Sequence, residues 1–241
     1  MKKFFFIIFT VLISSIAMSQ NIFDTTTVNH YGSELADPIY KPTKVENFIK
    51  QEVKKNLLLS EKLVLVNFWK GGMVPDYTDT TYTKAVYNRY LLFAYSGKNK
   101  WTATSYQEIS VFSSQEIEIL KSKTVNVPEN LQLAGLKNNW DSLEFDWYLP
   151  FVAAKELNGK KGYALAEASD MGYVRFYAID KMNVVYKQVY ENDLSKEWNS
   201  PFLYTKNVNF DFNCEQPSFA AIIYMMPLFE SKTFFSGYTR Q

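Results

Sequence analysis

Residues 63–69, LVLVNFW, restrict the possible folds more than any other stretch of the chain. Successive side chains of a β-strand point to opposite faces of the sheet, and here both faces are apolar. Such a strand has to be covered on both sides, because burial of apolar surface is the main driving force for folding. The stretch therefore predicts a covered, central strand.

The segment before this strand predicts an amphipathic helix over residues 44–59. Thr43 and Glu46 have the spacing of a capping box, in which the two side chains bond free backbone N–H groups at a helix start. Behind them, apolar residues recur on one helical face, while lysines lie on the other. The apolar residues are Val45, Phe48, Ile49, Val53, Leu57 and Leu58.

The rest of the chain is dominated by strand patterns. Three pairs of strand-like stretches are joined by short turns: 89–95 with 101–107, 151–157 with 161–168, and 172–180 with 184–190. Asn158-Gly159, in the second pair, is the strongest hairpin signal, because a type I′ turn favours positive φ at both central positions. An aromatic content of 17% agrees with a β-rich chain, since aromatic residues favour strands.

These patterns predict an α+β fold, mainly antiparallel β-sheet with one N-terminal amphipathic helix packed on it. The chain has no internal repeat and no low-complexity linker, so residues 43–241 are predicted to form a single globular β-rich domain. Polar residues and two prolines over 20–42 predict an extended lead-in to that domain.

Three further stretches carry less distinctive patterns. Ser113 and Glu116 repeat the capping-box spacing and predict a short helix near 114–122. Residues 207–213 alternate between apolar and polar, which predicts a strand and a buried Cys214. Residues 218–229 are continuously apolar, so their period does not distinguish a helix from a strand.

Residues 1–19 have the three-part pattern of a signal peptide. Two lysines precede an apolar run over 4–18, and Ala17 and Ser19 are the small residues that signal peptidase needs. As a helix this run spans about 22 Å, short of the roughly 30 Å of a membrane core. We expect cleavage before Gln20 and no transmembrane helix afterwards. The expected location is periplasmic, cell-surface or extracellular, in a bacterium.

Charge and reactive residues exclude several functions. Without the two lysines of the signal peptide, 24 basic residues stand against 25 acidic ones, so no excess positive charge is available for nucleic acid. Cys214 is the only cysteine and His30 the only histidine, which excludes an internal disulfide and a zinc site of several such ligands. No nucleotide-binding glycine motif is present. We therefore assign no catalytic residue, metal ligand or cofactor.

One stretch over residues 140–148, WDSLEFDWY, combines carboxylates with aromatic rings. If it is a strand, Glu144 and Asp146 point to one face with Cα atoms about 6.5–7 Å apart. Glycoside hydrolysis uses paired carboxylates, but the pair normally comes from different strands, and a solvated face explains these two without any chemistry. If the protein has a ligand-binding surface, we expect it at Trp140, Glu144, Asp146 and Tyr148.

The strand VNFW and the loop that closes on Pro75 resemble the approach to a thioredoxin active site over about thirteen residues. The chemistry of that family needs a thiolate at a helix N-terminus and a second cysteine three residues on. Met73 and Asp76 stand at those positions. The resemblance therefore implies a relative without redox activity, and it does not extend beyond Tyr77.

Several functions remain open. The preferred one is a non-enzymatic binding or interaction module with a protein or glycan partner. A carboxylate-based polysaccharide hydrolase is the main alternative. A redox-inactive thioredoxin-like domain and a small outer-membrane β-barrel are further alternatives, although an internal helix over 44–59 disfavours the barrel. A cleft with two carboxylates facing each other would favour hydrolysis, and a shallow aromatic surface would favour binding.

Overall fold

The computed structural model describes the larger part of the chain from Thr43 onwards. The described residues are 43–69, 74–75, 84–95, 97, 100–111, 116–127, 136, 140–145, 148–157, 160–165, 172–200, 203–230 and 239–240. The predicted signal peptide and lead-in, with His30, lie outside the described residues. Met73, Asp76 and Asp146 also lie outside them.

Antiparallel β-strands make up most of the described structure. The strands are β1 (Lys62–Trp69), β2 (Val74–Pro75), β3 (Lys84–Tyr95), β4 (Trp101–Val111), β5 (Glu116–Lys121), β6 (Val125–Asn126), β7 (Val152–Leu157), β8 (Lys160–Leu165), β9 (Tyr173–Asp180), β10 (Val184–Tyr190), β11 (Glu197–Ser200), β12 (Leu203–Lys206) and β13 (Thr239–Arg240). Within the described ranges, nine of them form one sheet with the order β10-β9-β1-β3-β4-β5-β13, in which β2 pairs with β3 and β6 with β4. The hairpins β7–β8 and β11–β12 are separate. The fold is broadly α+β, as the sequence predicts.

Short helices complete the described structure. The α-helices are α1 (Lys44–Leu57), α2 (Phe210–Cys214) and α3 (Phe219–Met225), and the 3₁₀ helices are Trp140–Phe145, Glu191–Leu194 and Met226–Glu230. At the start of α1, Thr43 Oγ1 accepts from the backbone N–H of Glu46 at 3.2 Å, and Glu46 Oε2 accepts from that of Thr43 at 2.8 Å. No helix within the described ranges is both long and apolar enough to cross a membrane.

The large sheet is covered on both faces, as the side chains of β1 show. Leu63 and Leu65 of β1 pack with α1 on the face that we call the α1 face. Val64, Val66 and Phe68 point the other way, into a core that includes the 3₁₀ helix Trp140–Phe145 and helix α3; we call this the opposite face. Because β1 pairs with β3 on one side and β9 on the other, the prediction of a covered, central strand is confirmed.

The three predicted hairpins are confirmed. β3 pairs with β4, β7 with β8 and β9 with β10, each pair antiparallel and consecutive along the chain. The first hairpin turns at Gly97, whose φ of +81° lies in the left-handed region that glycine adopts without a Cβ clash. Asn158 and Gly159 of the second hairpin lie outside the described residues.

The helix predicted near 114–122 is wrong, because this segment is strand β5. Its sequence EIEILK alternates with a period of two, which is the period of a strand and not of a helix. Pairing along the edge of β4 satisfies its backbone groups and outweighs the local capping signal.

The strand predicted over 207–213 is also wrong. Asn207 Oδ1 accepts from the backbone N–H of Asn209 at 3.0 Å, so a local turn replaces a strand ladder and leads into α2. Asn213 is buried and bonds the backbone N–H and C=O of Leu149, each at 2.8 Å. Cys214, predicted to be buried, is exposed. The apolar stretch 218–229 is resolved as α3 followed by a 3₁₀ helix.

The loop that resembles the thioredoxin family is described only at Val74 and Pro75, which form a short strand that pairs with Val86 and Ala85 of β3. β2 therefore pairs with the same edge of β3 as β1 does, beyond the end of β1. Residues 77–83, where that family would place its active-site helix, lie outside the described residues. The resemblance to the thioredoxin family therefore stays a prediction.

Candidate functional site

The predicted ligand-binding stretch does not form a strand. Residues Trp140–Phe145 form a 3₁₀ helix, in which side chains three positions apart lie one above the other. Trp140 and Leu143 are therefore buried together against the opposite face, a pattern that a strand does not produce. Glu144 and Asp146 are not strand neighbours. The side chain of Glu144 lies outside the described residues, as does Asp146.

The two aromatic members of that predicted surface belong to the core. Trp140 is 6% exposed, and its indole N–H donates to Asp180 Oδ2 at 2.8 Å. The Lys62 ammonium lies 4.7 Å from the Trp140 ring centroid. Tyr148 is buried, and its hydroxyl is 2.8 Å from Ser218 Oγ. Packing explains both rings, and a ligand-contacting role for the four predicted residues stays a prediction.

A different group of polar residues crosses the large sheet beneath α1. The pairing register places one residue from each of six consecutive strands directly opposite the next: Gln188, Arg175, Asn67, Tyr90, Tyr106 and Lys121. We call these six residues the polar row. Asn67 lies on the α1 face because it is two and four positions beyond Leu65 and Leu63, and strand side chains alternate.

Two buried carboxylates of α1 meet the two basic residues of the polar row. Glu46 Oε1 lies 3.8 Å from Arg175 Nη1. Glu52 accepts from the Tyr106 hydroxyl at 3.2 Å, from Lys55 Nζ at 2.8 Å and from Lys121 Nζ. Burial alone would raise the pKa of Glu52, but the hydrogen bonds and charges of the two lysines lower it below its usual value. Each of the two basic residues of the polar row therefore faces a carboxylate of α1.

Arg175 is held in place by neighbours on its own strand and on β10. Its Nε donates to Gln188 Oε1 at 3.2 Å, and the same oxygen accepts from the Tyr186 hydroxyl at 2.9 Å. The guanidinium carbon lies 4.9 Å from the ring centroid of Tyr173, which in turn stacks on Trp69 at 5.1 Å. This packing and hydrogen bonding fix the guanidinium beside Glu46.

The middle of the polar row has unfilled hydrogen-bonding capacity. Asn67 Nδ2 donates to the Arg89 carbonyl at 3.1 Å and lies 3.5 Å from Asn88 Oδ1, and Asn88 Nδ2 donates to Glu108 Oε2 at 2.7 Å. Asn67 is 1% exposed, yet its Oδ1 has no hydrogen-bond partner among the described residues. We call Asn67, Asn88, Tyr90 and Glu108 the central site.

Glu108 is the chemically unusual member of the central site. It is 4% exposed, and no lysine or arginine of the described chain forms an ion pair with it. Burial raises the pKa of Glu108, the hydrogen bond from Asn88 opposes that rise, and the charge of Glu46 adds to it. A buried carboxyl with a raised pKa and no cationic partner marks a candidate binding or proton-transfer site.

Tyr90 faces the same two carboxylates. Burial raises its pKa well above the ordinary value of 10.0, and the charges of Glu46 and Glu108 raise it further. The phenol is therefore protonated over the whole physiological range, and its hydroxyl is available as a donor or an acceptor. No His, Cys, Asp or Glu cluster of metal-binding size occurs in the parts of the chain that the structure describes.

The sequence contains a signal for the polar row and its partners on α1, which the strand patterns obscured. Asn67 is the one polar residue inside LVLVNFW, and Arg175 is the one charged residue inside YVRFYA. A polar side chain at a buried strand position needs a partner, because burial without one costs about 1–3 kcal/mol. The sequence pattern does not distinguish Glu46 and Glu52 from solvent-exposed helix residues, because both glutamates border the apolar stripe of α1.

Comparison with known proteins yields no match: no family model, no curated protein and no solved structure is similar to this chain. Function is therefore inferred from the side chains of the α1 face and from the N-terminal sequence pattern.

Proposed function

We propose that this protein is an exported bacterial envelope or secreted protein, and that its β-rich domain binds another molecule without transforming it. The charge, apolar run and small residues of the predicted signal peptide over 1–19 support export. The unpartnered Asn67 Oδ1 in the central site carries the proposal of binding. Glu46 of helix α1 lies close enough to Tyr90 and Glu108 for its charge to raise the pKa of both.

The energetics of the central site favour a bound ligand. A buried acceptor without a donor costs about 1–3 kcal/mol, and a ligand that supplies the donor recovers that free energy on binding. The neighbouring carboxylates are already engaged, because Glu46 caps α1 and faces Arg175, and Glu52 accepts from three side chains. Groups held this firmly suit recognition, which needs a preformed arrangement.

A binding screen with site variants tests this proposal. The chain would be applied to a glycan array and a peptide array, followed by Glu108→Gln, which removes a charge from the central site and keeps its shape. We expect at least one ligand whose binding Glu108→Gln abolishes, while Glu215→Gln, at an exposed position, leaves it unchanged. Absence of any ligand from both arrays would refute the proposal.

The same screen discriminates between the two regions of the molecule. The double variant Glu144→Ala/Asp146→Ala removes the carboxylates of the surface predicted from the sequence. If the double variant loses binding and Glu108→Gln keeps it, the binding site lies at residues 140–148. Loss in Glu108→Gln alone would support the central site.

Export has its own test. Expression of the full chain in a bacterial host and N-terminal sequencing of the product should give a mature protein that begins at Gln20, outside the cytoplasm. A cytoplasmic product that keeps Met1 to Ser19 would contradict export without affecting the proposal of binding.

A second candidate function is polysaccharide hydrolysis. One observation favours it: Glu46 and Glu108 come from different elements, and the charge of Glu46 raises the pKa of Glu108. Enzymes that use two carboxylates keep one protonated beside an ionised one in this way. Release of reducing sugar from a polysaccharide by the chain, lost in Glu108→Gln, would establish hydrolysis and exclude a purely binding role.

A further inference from the structure

We infer that the central site binds a primary ammonium group, carried by a small organic cation. This inference rests on the proposed binding function and adds the chemical class of the ligand. Three observations lead to it: the distribution of charge along the polar row, the number of free acceptors in the central site, and the kinds of ligand that these acceptors disfavour.

The first observation is the distribution of charge. The positive charges of the polar row are already balanced, because Arg175 faces Glu46 and Lys121 bonds Glu52. Glu108 has no such partner in the described chain, although it is as buried as the two helix carboxylates. A buried carboxylate is stabilised by a paired cation, so a cationic ligand would complete the site.

The second observation is the surplus of acceptors. Asn67 Oδ1 has no donor, and only one oxygen of Glu108 receives a hydrogen bond from a described residue, that of Asn88. The Tyr90 hydroxyl can also accept, since its oxygen retains lone pairs. A primary ammonium group has three N–H donors and no acceptor, so its hydrogen-bonding groups complement these three acceptors in kind and in number.

The third observation is what the central site disfavours. An anion would meet the carboxyl groups of Glu108 and Glu46, and the nearest described cation, Arg175, is already engaged by Glu46. A divalent metal prefers several hard oxygen ligands, and the described residues hold no group of three or more metal-binding side chains. A neutral sugar would supply donors but leave Glu108 without a cationic partner.

A set of matched probes tests the inference. Binding of pentylamine to the purified chain would be measured by calorimetry at pH 7.5, beside pentan-1-ol, tetramethylammonium and pentanoate. Relative to pentylamine, pentan-1-ol lacks the charge, tetramethylammonium keeps the charge but lacks N–H donors, and pentanoate carries the opposite charge. We expect saturable binding of pentylamine and at least tenfold weaker binding of the other three. The side-chain amide signal of Asn67 should shift in a ¹H–¹⁵N spectrum during the pentylamine titration.

Two variants locate the binding. Glu108→Gln should weaken pentylamine at least tenfold, and Tyr90→Phe, which removes one hydroxyl and keeps the ring, should weaken it severalfold. Glu215→Gln should bind as the native chain does. Unfolding curves of each variant establish that it is folded. If Glu108→Gln does not fold, Tyr90→Phe still tests the inference.

The outcomes separate this inference from the proposed function. Absence of saturable pentylamine binding at millimolar concentration, or binding that neither variant weakens, overturns the inference. If pentan-1-ol binds as tightly as pentylamine and its binding still requires Glu108, the ligand class is wrong but the proposed binding function is supported. Failure of these probes together with both arrays removes the inference and the proposed function alike.

Discussion

The two faces of the large sheet use alternate residues of the same strands for different purposes. On the opposite face, Val64, Val66 and Phe68 of β1 meet rings and aliphatic side chains of the C-terminal half of the chain. On the α1 face, Leu63 and Leu65 pack with the helix, but Asn67 two positions later begins a polar region. One strand therefore contributes a continuous core on one side and a mixed one on the other.

The polarity of the α1 face increases row by row along the strands. One cross-strand row contains Val184, Ile179, Leu63 and Ala94. The next contains Tyr186, Tyr177, Leu65 and Leu92, and the third is the polar row. Beside Leu194 of the opposite-face core, the buried carboxylate of Asp193 accepts from the backbone N–H groups of Phe151 and Tyr190, whereas Glu52 and Glu108 on the α1 face accept from side chains. The contrast separates a face that supplies stability from a face that can supply chemistry at some cost in stability.

The largest effect tests the assignment of Trp140 to the core. We expect Trp140→Ala to lower the free energy of unfolding by about 3–5 kcal/mol, because it leaves a cavity in the opposite face and removes the hydrogen bond to Asp180. Urea unfolding followed by circular dichroism measures this loss. Tyr163→Ala is the matched control, since Tyr163 is 72% exposed, and it should change stability by less than about 0.5 kcal/mol. A loss below about 1 kcal/mol for Trp140→Ala would contradict the assignment of Trp140 to the core.

The second effect tests whether the ion pairs of the α1 face hold the helix in place. Glu52→Ala removes the carboxylate that accepts from Lys121 Nζ and from the Tyr106 hydroxyl, and we expect it to cost about 1–3 kcal/mol. The loss is smaller than that of Trp140→Ala because Lys121 can turn its ammonium towards water. Lys55→Ala, on the same carboxylate but largely exposed, should cost less than about 0.5 kcal/mol. Equal losses for the two variants would show that burial of Glu52 is unimportant.

Much of this arrangement could be predicted from the sequence, and the reasons for the failures are specific. The hairpins and the covered strand β1 were predictable because their signals are local: period, turn residues and loop length. The strand predicted over 207–213 failed because the side chain of Asn207 bonds the neighbouring backbone, and alternation does not reveal such bonds. The helix predicted near 114–122 failed because pairing with β4 overrides a cap.

The central site was less predictable than the fold. Its members come from three strands, and a sequence alone does not give the register that places Asn67 opposite Tyr90, or Asn88 opposite Glu108. The stretch 140–148 was chosen because carboxylates and rings are adjacent in it. Adjacency along the chain says little about a site, because sites are assembled from distant segments whose relative positions depend on tertiary pairing.

The third effect is a modest one at the helix start on the α1 face. Thr43→Ala removes one half of the capping box, and we expect it to cost about 1 kcal/mol of stability. Thr43→Ser restores the hydroxyl and should recover most of the loss, as a thermal unfolding series would show. A loss in Thr43→Ser equal to that in Thr43→Ala would mean that the hydroxyl does not act as the cap.

The smallest effect is a difference in pH dependence between two carboxyls of the α1 face. Burial raises the pKa of Glu108 above its ordinary value of 4.5. Its protonated form therefore contributes stability that is complete below pH 4.5 and is lost as the pH rises through the folded-state pKa. We expect the stability of the native chain relative to Glu108→Gln to fall over that rise and then to level off.

Glu52 should show the opposite sign, because the lysines lower its pKa in spite of its burial. Its contribution is present above pH 4.5 and is lost as the pH falls through the lower folded-state pKa, so the advantage of the native chain over Glu52→Gln should shrink on acidification. Urea unfolding between pH 3 and 8 measures both differences. Phe93→Leu, on the opposite face, should give a difference that does not change with pH, because neither side chain titrates. Two curves of the same sign for Glu108 and Glu52 would mean that the lysines do not control the pKa of Glu52.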